Sequence, residues 1–207
     1  NRMKSSRQRI IATLLVVVLA VALALPVNLA FANADGVERQ MAVCVDGSGS
    51  IDATEWALMT GGLADAVEDP TILPQDGSIE LTIIQFAGST ASLEVGPTVI
   101  DSQATADDVA TDFRAIVKRR GYTPTGAGIK MAKEQLIGSA NFAVAERHII
   151  NISTNGHPEP EDTQVGIAIG ERNAAITAGI TELDAEAMGV LITWLNWLKD
   201  EIAYPEP

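Results

Sequence analysis

The stretch Gln40-Met41-Ala42-Val43-Cys44-Val45-Asp46-Gly47-Ser48-Gly49-Ser50-Ile51-Asp52 decides how the 207-residue chain is read. Its first half is apolar without alternation, as expected of a strand covered on both faces in a parallel sheet. A glycine-rich turn follows. Asp52, with Glu55 three residues on, then forms a helix-start signature, and Trp56, Met59, Leu63, Ala66 and Val67 recur at helical spacing. Open parallel sheets place their sites at such strand-to-helix turns. Asp46, Ser48 and Ser50 put one carboxylate and two hydroxyls on alternate residues of a flexible loop, so three oxygens can converge on a hard cation. Helix capping alone accounts for one or two of them.

Other loop chemistries fail on the same residues. An EF-hand beginning at Asp46 needs Gly at its sixth position and Glu at its twelfth, where Ile51 and Ala57 stand. A serine-hydrolase elbow needs glycines two residues either side of Ser48, but Asp46 and Ser50 occupy those places. A phosphate-binding loop needs Gly-Lys-Ser/Thr, which neither this turn nor Gly121-Tyr122-Thr123-Pro124-Thr125-Gly126-Ala127-Gly128 supplies.

Outward from the first strand, short apolar runs alternate with helical segments, the pattern of an α/β sheet with helices on both faces. Strands are predicted at Ile79–Phe86, Ala91–Ile100 and His148–Ser153, and at Ile180–Gly189, where acidic and apolar residues alternate as on a half-exposed strand. The link Ala87-Gly88-Ser89-Thr90 is too short for a crossover helix, so Ala91–Ile100 forms one antiparallel edge strand on an otherwise parallel, doubly wound sheet. Helices are predicted at Ala104–Arg120, Thr125–Gly138 and Thr163–Gly179, and Trp194, Leu195, Trp197 and Leu198 suggest a short helix closing a sheet edge before Pro205.

Residues 1–34 read differently. They carry Arg2, Lys4, Arg7 and Arg9, no acid, and an apolar run from Ile10 to Leu25 broken only by Thr13. With Ala32-Asn33-Ala34 they make a secretory signal, cleaved after Ala34, ahead of one domain over 35–207. An uncleaved anchor is the alternative, since the run extended to Phe31 just reaches membrane-spanning length. Met3 is the expected true start, and a further segment is expected beyond Pro207. Four of the 14 Lys+Arg and none of the 27 Asp+Glu lie in the leader, so the remainder carries 10 against 27, a net charge of −17. Such a field disfavours nucleic acid and anionic membranes as partners and accumulates cations.

Two further loops join the first. Gly121-Tyr122-Thr123-Pro124-Thr125-Gly126 opens a helix, and Ser153-Thr154-Asn155-Gly156-His157 follows the apolar run Ile149-Ile150-Asn151-Ile152. With these in order, the chain from about Glu38 to its end resembles a von Willebrand factor type A domain, and more closely a group of uncharacterised bacterial secreted proteins containing that domain. The resemblance implies a Rossmann-like fold and a metal-ion-dependent adhesion site. Its matching residues are Asp46, Ser48 and Ser50, then Thr123, then Asn155, where the family usually has aspartate. Asparagine keeps an oxygen and loses a charge, so weaker metal affinity is expected.

The resemblance further implies a secreted or periplasmic, non-enzymatic module that holds an acidic group of a protein partner through Mg2+, or Mn2+ or Ca2+. The competing reading is a metal-independent structural or assembly domain of the same fold. A hydrolase is disfavoured, because His148 and His157 lack zinc-ligand spacing and a recruiting serine motif. Lys118-Arg119-Arg120, the one cationic cluster after the leader, reads either as dipole compensation at a helix C-terminus or as a positive rim beside the Thr123 loop. Glu159, Glu161 and Asp162 read as a solvated acidic loop, Cys44 as a buried unpaired thiol, and the sequon at Asn151 as part of a buried strand.

Overall fold

The computed structural model describes residues 36–188 and 192–205, so the expected leader and its cut before Asp35 lie outside the described residues. The elements are β1 (Arg39–Asp46), α1 (Ala53–Glu68), β2 (Ile79–Ala87), β3 (Thr90–Val99), α2 (Gln103–Ala115), α3 (Thr125–Gly138), β4 (Arg147–Thr154), α4 (Glu161–Thr177), β5 (Glu182–Ala187) and α5 (Ile192–Trp197), followed by a π-helical turn, Leu198–Ile202. The sheet order is β3-β2-β1-β4-β5, with β1 parallel to β2 and β4, β4 parallel to β5, and β3 antiparallel to β2. This is the doubly wound α/β fold with one antiparallel edge strand that the apolar runs predict.

Because strand side chains alternate, β1 feeds two cores. Met41, Val43 and Val45 pack with Met59 and Leu63 of α1 and Phe113 of α2, while Ala42 and Cys44 pack with Ile129 and Leu136 of α3 and Ala168 of α4. Truncating one of these fully buried side chains, such as Phe113, costs about 3–5 kcal/mol. Cys44 is free and buried, and burial pushes its thiol well up, which makes it inert. The hairpin between β2 and β3 turns on Gly88-Ser89, with Gly88 at φ +67°, a left-handed backbone that favours glycine at the first turn position.

At α1, Asp52 accepts from the Thr54 and Glu55 backbone N–H groups, and the Glu55 carboxylate accepts from the Asp52 N–H, completing the expected capping box. α2 departs from expectation. It ends at Ala115 rather than Arg120, because Ile116 leaves helical backbone at φ −59°, ψ 123°. Beyond it the chain is drawn to the end of the sheet, where the Gln85 side chain accepts from the Arg119 N–H (2.8 Å) and donates to the Val117 carbonyl (3.1 Å). Lys118, Arg119 and Arg120 therefore stand past the helix, and dipole compensation does not explain them.

α4 begins and ends two residues earlier than the spacing predicts, and β5 is shorter at both ends. On β5, Leu183, Ala185 and Ala187 face the core of α3 and α4, while Glu186 is itself buried. The tail closes this edge as read: Tyr204 pairs through both backbone groups with Leu183, over buried Leu198 and Ile202. Among the described residues no helix is long and apolar enough to cross a membrane.

Candidate metal centre

In the order β3-β2-β1-β4-β5 the connections diverge on either side of β1 and β4, so a crevice opens at the carboxyl ends of these two strands. Asp46 ends β1 there and Thr154 ends β4. The Asp46 side chain is fully buried; its Oδ1 accepts from the Ser48 N–H (2.8 Å) and its Oδ2 from the Thr154 hydroxyl (2.7 Å). Burial pushes its carboxyl up, against the opposing pull of the Thr154 and Ser48 hydrogen bonds and the Lys118 charge.

Outward from Asp46 the oxygens form a chain. Ser48 Oγ lies 2.9 Å from Ser50 Oγ, and the Ser50 hydroxyl donates to Asn155 Oδ1 at 2.8 Å. The Thr123 loop is stitched to the other two by its backbone: the Gly49 N–H donates to the Gly121 carbonyl (2.8 Å), the Arg120 N–H to the Gly47 carbonyl (2.7 Å), and the Glu159 N–H to the Thr123 carbonyl (3.1 Å). Ser48, Ser50 and Asn155 are thus linked through side chains, and Asp46 joins them through the Ser48 N–H. Thr123 is buried in the adjoining loop, and among the described residues no side-chain hydrogen bond joins it to that chain.

Two glycines make the crossing possible. A Cβ on Gly47 would stand 2.0 Å from Gln85 Oε1, and one on Gly121, whose φ is +100°, would stand 2.8 Å from Gly88 Cα. The Gln85 amide occupies the crook of the Asp46 loop and from there holds the Val117–Arg119 segment. Lys118 Nζ donates to the Ser48 carbonyl from behind the serines. Sequence reasoning missed Thr154, Gln85 and this lysine contact. Thr154 stands directly before Asn155, but nothing local marks it as the partner of a residue 108 positions away.

The donor set suits a small hard cation in shape. In an octahedron of metal–oxygen bonds of about 2.0–2.1 Å, neighbouring oxygens lie roughly 2.9 Å apart, the spacing seen along Ser48, Ser50 and Asn155. In charge the set is lean, with Asp46 its one carboxylate and the Lys118 ammonium close by. Among the described residues no group of three or more His, Cys, Asp or Glu assembles as a metal cluster. Glu159, Glu161 and Asp162 are exposed, and the first two face His157, at 3.8 and 4.0 Å.

A strand-end crevice on a sheet of this order, with its antiparallel edge, is that of a doubly wound α/β fold, and the solved structures that share it are von Willebrand factor A-like. The chain belongs to the family described as "Protein of unknown function (DUF1194)", whose model matches residues 36–185. No curated protein sequence matches it. Solved structures share the fold at low identity. The PilB minor pilin from Streptococcus sanguinis has a TM-score of 0.66 at 13% identity, over 81% of this chain and 55% of that one. Proximal thread matrix protein 1 from the mussel byssus, described with a zinc-occupied MIDAS motif, has 0.61 at 19%, over 83% and 40%. Manganese-loaded TRAP protein from Plasmodium vivax has 0.57 at 17%, over 79% and 61%. The chain therefore matches between two fifths and three fifths of the length of these neighbours.

Proposed function

We propose that the chain is an exported protein-binding module, of adhesion or assembly type, in which a divalent cation at the strand-end crevice holds an acidic group of a partner. The observation that carries this reading is the Ser48–Ser50–Asn155 oxygen chain, spaced at 2.9 and 2.8 Å beside buried Asp46. Asp46, Ser48, Ser50, Thr123 and Asn155 would hold Mg2+, or Mn2+ or Ca2+ in its place. When bound, the ion supplies an electrophilic point for a carboxylate oxygen.

The chain's own groups supply the frame. Thr154 and the Ser48 N–H fix the Asp46 carboxylate, and the backbone links among the three loops hold the hydroxyls in register. The manganese and zinc of two neighbours, and the matrix and pilin names of two, support this reading. Residues 1–34 would serve as the export signal, with 35–207 the binding domain.

A second reading draws on Lys118. Its ammonium, donated to the Ser48 carbonyl, already supplies positive charge behind the loop, and Asn155 supplies none of the compensating negative charge of an aspartate. On this account the fold binds without an ion. Calorimetric titration with Mg2+, Mn2+ and Ca2+ separates the two: saturable heat that disappears in Asp46→Ala, with the circular dichroism spectrum kept, supports the metal-dependent module. No heat with any of the three ions leaves the metal-independent one.

A further inference from the structure

Beside the Asp46 loop lies a pocket of about 350 Å³, walled by Gly49, Ile51, Asp52 and Trp56 on one side and by Lys118 and Arg120 on the other. Its floor is apolar, since Ile51 is buried and Trp56 packs partly into the core. Its rim is cationic, in a chain whose formal net charge is −13. The Asp52 carboxylate is already engaged by the backbone of α1. The Arg120 guanidinium, by contrast, has no hydrogen-bond or ion-pair partner among the described residues; its charge repels that of Lys118, which Asp46, Glu55 and Asp52 in turn attract.

The basic segment is built to stay where it is. Arg120 is the one non-glycine residue with positive φ among the described residues, at +69°, a backbone conformation that costs energy for a side chain of this kind. Its N–H on Gly47, the Arg119 N–H on Gln85, and the Gly88 N–H on the Tyr122 carbonyl hold the segment in that shape. Val117 and Tyr122 stand exposed at 80% and 57% on either side of the three cations. Exposed apolar side chains flanking cations on a rigid loop form a recognition surface at little ordering cost.

We propose that this pocket is a second recognition site, taking from a protein partner a carboxylate side chain next to an apolar one. The apolar side chain lies over Trp56 and Ile51, and the carboxylate meets Arg120 and the free protons of Lys118. Charge complementarity selects this occupant, because Lys118 and Arg120 set two cations at this pocket within a chain of net negative charge. The inference rests on the chain being a binding module but needs no ion, since both cations are its own.

The test uses the ¹⁵N-labelled chain in EDTA, titrated with the blocked tetrapeptide Gly-Glu-Leu-Gly and its Gln-for-Glu and Ala-for-Leu analogues. The Trp56 indole N–H and the amides of Val117 to Arg120 should shift to saturation with the first peptide. Each analogue should bind about fivefold more weakly or less. Arg120→Asn, chosen because asparagine tolerates left-handed backbone, should weaken binding by a similar factor. Should Arg120→Asn fail to fold, the two analogues on the unaltered chain decide. Equal binding of all three peptides, or no shift at Trp56 in EDTA, overturns the pocket. Shifts that need Mg2+ and vanish in Asp46→Ala also overturn it, while sustaining the metal-dependent reading.

Discussion

Asp46 and Asp184 are both acids whose carboxyls burial pushes up, but one closes the central strand and the other sits on the edge strand β5. Around Asp46 the fold gathers a hydroxyl, a backbone N–H and an ammonium, all favouring the charged form. Around Asp184 it gathers more acid, with Arg147, paired to Glu182, opposing it. Glu182 and Glu186 flank it, one of its oxygens is buried without a partner, and the side-chain oxygen of Asn151, its neighbour in register, is equally unpartnered. Asp184 therefore holds its proton up to about pH 7. A buried carboxylate supported by donors is placed to meet a cation, whereas one among carboxylates is placed to stay neutral.

Removing either acid probes that contrast. The largest effect is expected from Asp46→Ala, which should abolish divalent-ion binding in calorimetry while leaving the fold. The orphaned Thr154 and Ser48 donors should cost about 1–3 kcal/mol in denaturant unfolding. Asn155→Asp moves the centre in the opposite direction: a second carboxylate should tighten Mg2+ or Mn2+ binding by roughly 1–3 kcal/mol. It should also lower affinity for an acidic partner at saturating metal, because the bound ion is then more fully neutralised. Unchanged metal affinity would mean that Asn155 does not face the ion and that the three loops do not assemble a shared site.

At the edge the effects are smaller and follow pH. Asp184 binds its proton more tightly folded than unfolded, so the unfolded chain ionises first and stability falls as pH rises from about 4 to about 7. Asp184→Asn should flatten that fall and stabilise the chain at pH 8 by about 1–2 kcal/mol, since solvent still reaches part of the carboxyl. The check is a series of melting temperatures from pH 4 to pH 8. Smallest of all, Glu186→Gln should change stability by less than about 1 kcal/mol at neutral pH and leave metal binding untouched, because the amide retains a contact to Ser153 or Asn151.

What was legible in the sequence divides along the same lines. β1, β2 and β4 are readable because central parallel strands are apolar on both faces, and α1 because Asp52 and Glu55 cap it locally. The end of α2 was not, because its apolar spacing runs on through Val117 while the stop is made by Gln85, from a strand 34 residues away. The burial of Glu186 was hidden behind an acidic alternation that reads as solvent-facing. At the centre, D-x-S-x-S announces oxygens by spacing alone. The partners that orient them, Thr154 and Lys118, arrive from distant loops and leave no local trace.

β1 carries a mechanical consequence. It pairs in register with β2 from Arg39 to Asp46 and with β4 from Arg39 to Val45, and its last residue is the acid of the centre. Tension applied by a tethered partner at the Asp46 loop runs along the axis of that strand, so it loads both hydrogen-bonded ladders in shear at once instead of peeling them bond by bond. The point where a partner would pull is thereby the most firmly anchored strand of the sheet.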